Sequence, residues 1–539
     1  MIRPGLISLV LLFLVQVLLP ACESESNDTE LEPKPISLLG ETLVIDSSLV
    51  LVDVESDRAF LLDLSADDLG AGKRVIDLPA NPFLIERRKG SAKEALILSA
   101  GRRGVAESTA LLALRVNGET RAYQVSAPFD SLVQTEDGRY AVLYCGDSSE
   151  RQLLASLNEI AIVDLEAEVD ERAAVVRRSV ETPGGPPTGL QVSPALALGY
   201  DEKLLAVLLS DSHATLVDLD DLERSETVIR LSSGEGEDAV RPEQVVFHAA
   251  TGAIFLRAAN SDDVFAIRIE RDGSDFETTI EQLTAGTAPS EIAVYGEEDA
   301  ARLLVVSQSD QQVHIVDISE SSEESDGSGN AVGDATTVVH IDLPRAADSL
   351  LIYESEAPEN SHVDIQQHAL LYREGGQTVT FLDLLDAERA GERNLQTVRV
   401  GDPIVSLELL EEQNLVLIVQ ESSRIRVLDL QERKVITTVN VEGSLYNAVF
   451  SADLPRLWIA PPGQYFAGCV NLQSGDTEEV LLDRRLAGFA LAPLPELAVA
   501  IHQIAGEEEL GTVDRIAITV LDALDPDRDE AVTFDAFIE

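Results

Sequence analysis

Residues 402–441 read Asp402-Pro-Ile-Val-Ser-Leu-Glu-Leu-Leu-Glu-Glu-Gln-Asn-Leu-Val-Leu-Ile-Val-Gln-Glu-Ser-Ser-Arg-Ile-Arg-Val-Leu-Asp-Leu-Gln-Glu-Arg-Lys-Val-Ile-Thr-Thr-Val-Asn-Val441. Apolar runs alternate with short polar breaks. Ile404 to Leu409 predicts a first strand and Glu411 to Asn414 a turn. Leu415 to Gln420 is nearly all apolar, which predicts a second strand buried on both faces. Ser422 and Ser423 turn the chain into Arg424 to Leu430, whose alternating character predicts a half-exposed strand. Val435 to Val441 predicts an outer strand, and Lys434 and Asn440 suit an exposed edge.

The end of the third strand, apolar residues followed by Asp-Leu, is a phrase that returns along the chain. It recurs at Phe60-Leu-Leu-Asp63-Leu, Ile160-Ala-Ile-Val-Asp164-Leu, Thr215-Leu-Val-Asp218-Leu, His314-Ile-Val-Asp317-Ile and Thr380-Phe-Leu-Asp383-Leu. Weaker copies stand at Leu111 to Val116, Phe265 to Ile269, Gly468 to Leu472 and Ile518 to Ala523. A carboxylate here can accept backbone N–H groups of the following turn and so tighten the hairpin. About ten such units, each about 45 to 50 residues long, predict an all-β chain of stacked four-stranded blade-like units, a β-propeller. The common blade count is about four to eight. Two closures therefore stay open, a single large ring or two fused smaller rings. Thr182-Pro-Gly-Gly-Pro-Pro187 is the best candidate for a link between two rings.

Val427-Leu-Asp-Leu430, Lys434 to Val441, Phe450-Ser-Ala-Asp453 and Leu457-Trp-Ile-Ala460 together resemble the YVTN-type, WD40-like β-propeller repeat. Phe129 to Tyr144, with its Glu136-Asp137-Gly138 turn, is similar to the second half of that pattern. The resemblance spans most of Leu38 to Glu539. Several units lack the Asp-Gly turn, and the strands are rich in Leu. It implies a surface or periplasmic propeller and no single activity, because the fold hosts many.

Residues 1–21 read as a secretion signal. Arg3 is followed by an apolar run from Leu6 to Leu19 that is too short for a comfortable membrane span. Leu19-Pro20-Ala21-Cys22 resembles a bacterial lipobox, which implies lipidation of Cys22 and an outer-membrane lipoprotein facing the periplasm or the outside. Residues 22–37 form an acidic tether with Pro33 and Pro35, and residues 38–539 the propeller.

The formal charge is −56, a surface that repels nucleic-acid phosphates and anionic headgroups and attracts cations and basic partners. Nucleic acid is therefore not an expected partner, and the membrane is met through the lipid alone. Aromatic residues are 4%, with Trp458 the only Trp, which argues against a quinone-docking propeller and against base stacking. Cys145 and Cys469 are expected to be free buried thiols.

Insertions carry the functional expectation, because function on such a scaffold lives in loops. Ser319 to Asp334 interrupts a third-to-fourth strand turn, and Glu354 to Gln367 the first-to-second turn of the next unit. Both turn types emerge on one face. This predicts an acidic patch of Asp326, Asp334, Glu356, Glu359, His362 and Asp364, which reads either as two solvated, disordered loops or as a cation or basic-protein site. No cofactor is expected, with calcium at this patch as the alternative. On the opposite face lie Gly146 to Glu159, Glu181 to Gly189 and Gly506 to Arg515, a second candidate for partner binding. His362 and His368 flank Asp364 at a spacing that suits neither one helix face nor one strand face, and His314 is expected to be packed.

There is no Cys-x-x-Cys, His-Glu-x-x-His or Gly-x-Ser-x-Gly, and no catalytic residue is assigned. Gly70 to Arg74 and Asp525 to Asp529 lack the residues a phosphate loop and a calcium loop need. The expectation is a lipid-anchored propeller of the bacterial cell envelope, a non-catalytic binding or scaffold protein for an envelope protein or polysaccharide. The alternative is a lactonase-like hydrolase with its site in the central channel.

Overall fold

Each of the ten repeat phrases lies on the third strand of its own four-stranded antiparallel sheet. These strands are Arg58–Asp63, Ala110–Arg115, Glu159–Asp164, His213–Asp218, Asp263–Asp272, Gln312–Asp317, Thr378–Asp383, Arg424–Asp429, Phe466–Asn471 and Arg515–Asp522. The computed structural model describes residues 38–39, 42–64, 72–102, 109–127, 129–146, 158–168, 174–183, 185–198, 201–231, 240–272, 275–296, 300–318, 338–356, 365–384, 395–441, 448–450, 456–491, 497–504, 515–522 and 532–536.

The sheets are blades 1 to 10, spanning residues 43–77, 82–124, 131–179, 189–230, 242–284, 289–342, 349–399, 404–440, 448–481 and 488–536. Within each, hydrogen bonding follows chain order from first strand to fourth. In blade 4 a short hairpin, Leu196–Leu198 with Asp201–Lys203, is inserted between the first and second strands. First strands touch the first strands of neighbouring blades and line the centre. Fourth strands form the rim, as in Lys73–Asp77 and Thr477–Leu481, which bury little. Among the described residues helix is confined to isolated short turns, such as the 3-10 turn Glu411–Gln413.

Blade 8 shows why the pattern folds this way. Its strands are Ile404–Leu410, Leu415–Gln420, Arg424–Asp429 and Lys434–Asn440. The apolar second strand is buried along nearly its whole length, because both of its faces meet neighbouring blades. Lys434 and Asn440 are exposed at the rim. Asn414, Ser423 and Arg433 take left-handed φ values of 53°, 57° and 52° at the turns. A local side-chain bond makes Asn the most tolerant of the three there.

One ring closes, rather than two. Val44, Leu49, Leu51, Phe60 and Leu62 of blade 1 share a buried cluster with Ala490, Val499, Ile501 and Ile518 of blade 10. Similar clusters join blades 2 and 3, 3 and 4, 4 and 5, 5 and 6, 6 and 7, 7 and 8, and 9 and 10. Each fully buried aliphatic side chain contributes about 1.5–3 kcal/mol. The interfaces are therefore the core, and no single blade holds one of its own. Residues 182–187 are not a linker between rings. Ser210 Oγ donates to Pro183 O at 2.9 Å and Thr182 Oγ1 to Gly185 O at 2.9 Å, which pins the segment to blade 4.

Several inner strands open on a proline followed by a bulge. Register shifts follow Pro82, Pro242 and Pro289, and a fourth bulge sits just after Pro403. Proline cannot donate to a ladder, so it is tolerated where an edge strand begins. The bulge aims the next side chain at the neighbouring blade. Gln244 Nε2 donates to Ile292 O, and its Oε1 accepts Ile292 N–H, both at 3.1 Å. Two residues after Pro289, Glu291 accepts the Leu350 N–H at 2.6 Å.

Cys145 and Cys469 are buried thiols, neither in a disulfide. Burial pushes the Cys469 thiol up to about 11. His314 is buried in its strand, as expected.

Candidate functional site

The expected turn role of the aspartates that close the third strands is seen in blades 3, 4 and 8. Asp164 Oδ1 accepts Glu166 N–H at 3.0 Å, Asp218 Oδ1 accepts Asp220 N–H at 2.9 Å, and Asp429 Oδ1 accepts Glu432 N–H at 2.7 Å. Asn471 does the same for Gln473 at 2.9 Å.

Blade 7 adds side-chain partners to its aspartate. Its first strand runs Ser349–Glu356 and its second Ile365–Tyr372. Pairing sets Tyr353 opposite His368, and His368 opposite Asp383. Directly opposed residues share a sheet face, and so do residues two apart on one strand. Tyr353, Ser355, His368 and Asp383 therefore lie on one face. His368 Nδ1 meets Asp383 Oδ1 at 2.7 Å, and His368 Nε2 meets Ser355 Oγ at 2.8 Å. A carboxylate only accepts, so Nδ1 carries a proton, and in the neutral imidazole Nε2 is then the acceptor facing the hydroxyl. The Tyr353 ring stacks on the imidazole at 5.0 Å.

That face packs on blade 8, whose third-to-fourth turn sends Arg433 across to Asp383. The Arg433 guanidinium also lies over the Phe381 ring at 5.3 Å. Burial pushes the Asp383 carboxyl up, but the hydrogen bonds from His368 and Arg433 outweigh it and hold it below its ordinary value. His368 is buried, and Ser355 is half-buried. The end of the first strand, the start of the second and the end of the third meet on the face from which first-to-second and third-to-fourth turns emerge.

A second feature opens on the same face, above blades 3 and 4. It is a groove of about 490 Å³ lined by Glu136, Asp137, Glu202 and Asp220, with Lys203, Leu204, Pro194 and Ala195. The inserted hairpin forms one wall. It is held down by Leu196 and Leu198, which are buried against blade 5. Arg139 sits 3.6 Å from Asp220 and 3.7 Å from Asp164. At the centre of the ring, the inner strands expose Glu243, Glu354 and Glu408.

Of the sequence-predicted patch, Asp326, Asp334, Glu359, His362 and Asp364 lie outside the described residues. Glu356 ends the first strand of blade 7, paired with Ile365. Glu354, Ser355, Gln366 and Gln367 belong to strands, so the interruption is shorter than the sequence suggests. Most of Gly146 to Glu159 and of Gly506 to Arg515, and Cys22, also lie outside the described residues. No group of three or more His, Cys, Asp or Glu side chains placed to hold a metal occurs among the described residues. Sequence reading noticed His368 only as half of a poor metal pair. Its hydroxyl and carboxylate partners come from two other strands, and only the pairing register brings them together.

No family model matches the chain, and no curated protein does. Among solved structures it is similar to dihydro-heme d1 dehydrogenase NirN, solved in complex with DHE. The TM-score is 0.41 and the identity 10%, covering 84% of this chain and 76% of that one. It is also similar to apo AztD from Citrobacter koseri, with TM-score 0.37 and 10% identity, covering 70% of this chain and 92% of that one. Likeness at this level carries nothing about ligand or activity.

Proposed function

We propose that the chain is a binding or scaffold propeller of a bacterial cell envelope, lipidated at Cys22, that presents one face to a basic segment of an envelope protein. The observation that carries this reading is the acidic groove above blades 3 and 4, on a chain of formal charge −56. A cleft of this size suits a few side chains of a peptide. Its carboxylates would recognise Lys or Arg and speed their encounter. Ten blades cemented through their interfaces hold the groove walls rigid, so little ordering is lost on binding.

Calorimetric titration with a Lys/Arg-rich peptide tests it. Binding should weaken with salt and fall at least about tenfold in a Glu136→Lys, Glu202→Lys variant, both exposed positions. Binding that ignores both changes removes the groove from the reading. For the anchor, labelling with a palmitate analogue in a bacterial host should be lost in Cys22→Ser.

A further inference from the structure

We propose that Ser355 is an acyl-accepting nucleophile, activated by His368 and oriented through Asp383, and that the inner rim of blade 7 hydrolyses carboxylic esters. The proposal is independent of the binding role assigned to the groove. A serine hydroxyl is a weak nucleophile unless a base stands within hydrogen-bond reach and a third group holds that base. Both contacts are present, at 2.8 Å and 2.7 Å. The other described histidines have different partners. His502 bonds Thr519 and Arg485 O, His248 bonds Thr251 and Gly296 O, His213 bonds Ser212, and His314 and His340 bond each other. Among the described residues, His368 alone joins a hydroxyl on Nε2 to a carboxylate on Nδ1.

The remaining parts follow from position. Ser355 stands on the innermost strand, an edge strand, near the end that leads into the loop face. Leu350 turns its N–H away from the second strand, toward Glu291. In an antiparallel pair that orientation alternates, so the Glu354 N–H lies on the same free edge beside Ser355, a donor for an oxyanion. The formal charge of −56 selects against anionic esters, so the substrate class is a neutral or cationic ester.

In the first step Ser355 Oγ bonds to the ester carbonyl carbon while His368 Nε2 takes the hydroxyl proton. The carbon–alkoxy bond then breaks, and the proton passes to the leaving alcohol. Water repeats the sequence on the acyl-serine, releasing the acid and restoring the hydroxyl. Tyr353, stacked on the imidazole, and Asp383 fix the ring; they are positioning residues.

The full chain is treated with a biotinylated fluorophosphonate, and p-nitrophenyl acetate hydrolysis is followed in parallel. A covalent adduct mapped to Ser355, lost in Ser355→Ala, together with at least about tenfold slower hydrolysis in that variant, supports the proposal. Asp383→Asn should slow hydrolysis and move the pH–rate midpoint to lower pH, because an imidazolium without its carboxylate is less stable. A purely structural role would not shift that midpoint. Absence of a Ser355 adduct on protein with native circular dichroism overturns the proposal, and so does hydrolysis undiminished in a folded Ser355→Ala variant.

Discussion

Blades 7 and 8 are neighbours on one strand plan, yet the aspartates that close their third strands have different partners. Asp429 in blade 8 faces Leu415 across the sheet and caps its own turn through Glu432 N–H. Asp383 in blade 7 faces His368, which carries Ser355 on its other nitrogen, and accepts Arg433 from blade 8. An apolar Leu leaves the carboxylate to the backbone, whereas an imidazole and a guanidinium draw it into a polar chain that crosses the blade interface. The difference teaches that the repeat phrase specifies a hairpin end, while chemistry at that end depends on the neighbouring strands.

The largest expected effect comes from removing the two aspartates separately. Asp383→Ala strands the Arg433 guanidinium and the imidazole at a packed interface and should cost about 3 kcal/mol. Asp429→Ala removes a local turn bond and should cost about 1 kcal/mol. Urea unfolding midpoints measure both, and equal losses would break the comparison. Arg433→Ala should fall between them, at about 2 kcal/mol. Lys434→Ala, one residue on, breaks only an exposed pair with Glu432 and should leave the midpoint unchanged.

The pH dependence sharpens the same contrast. Asp383 has its folded pKa below the ordinary 3.8, so its charged form stabilises the fold above that value. This contribution is lost as pH falls through the lowered folded value. The stability gap between the parent chain and Asp383→Asn should therefore be full at pH 6 and shrink steadily in acid below about pH 4, read by thermal unfolding. A gap that holds constant into strong acid would mean that the carboxylate's charge contributes nothing.

Blade 7 is also tied on its other side, where Glu291 accepts Leu350 N–H. Burial raises the Glu291 carboxyl above its ordinary 4.5, against that hydrogen bond and the Arg257 charge. Its stabilising form is the protonated one, present below the ordinary value and lost as pH rises through the raised value. In the preceding blade Gln244 holds the equivalent place and makes both bonds to Ile292. Glu291→Gln should therefore raise stability by about 0.5–1 kcal/mol at pH 7 and leave it unchanged at pH 4. A loss at pH 7 would show that the charge is needed.

The four strands of blade 8 were legible almost to the residue, since the run lengths and the switch from apolar to mixed character are local properties. The ten repeat phrases marked ten third strands for the same reason. The prolines before the inner-strand bulges were a further local signal, and it went unused. The Thr182–Pro187 stretch was only the best candidate for a link, because a Pro/Gly-rich segment looks like a linker until Ser210 and Ser212 are seen to donate to Pro183 O. The Ser355, His368 and Asp383 chain carried no sequence signal. Its members are separated by a loop and a strand each, and a one-residue slip in either pairing would turn a side chain to the opposite face.

Composition and periodicity by themselves determined an acidic all-β repeat chain with its strands in order, because burial on a pleated sheet dictates which residues alternate and where they stop. Only the tertiary structure decided that ten blades close one ring, since closure depends on how blade 1 packs against blade 10. Packing and register also decided which hydroxyl, imidazole and carboxylate meet, because those contacts join strands whose alignment no local run of residues fixes.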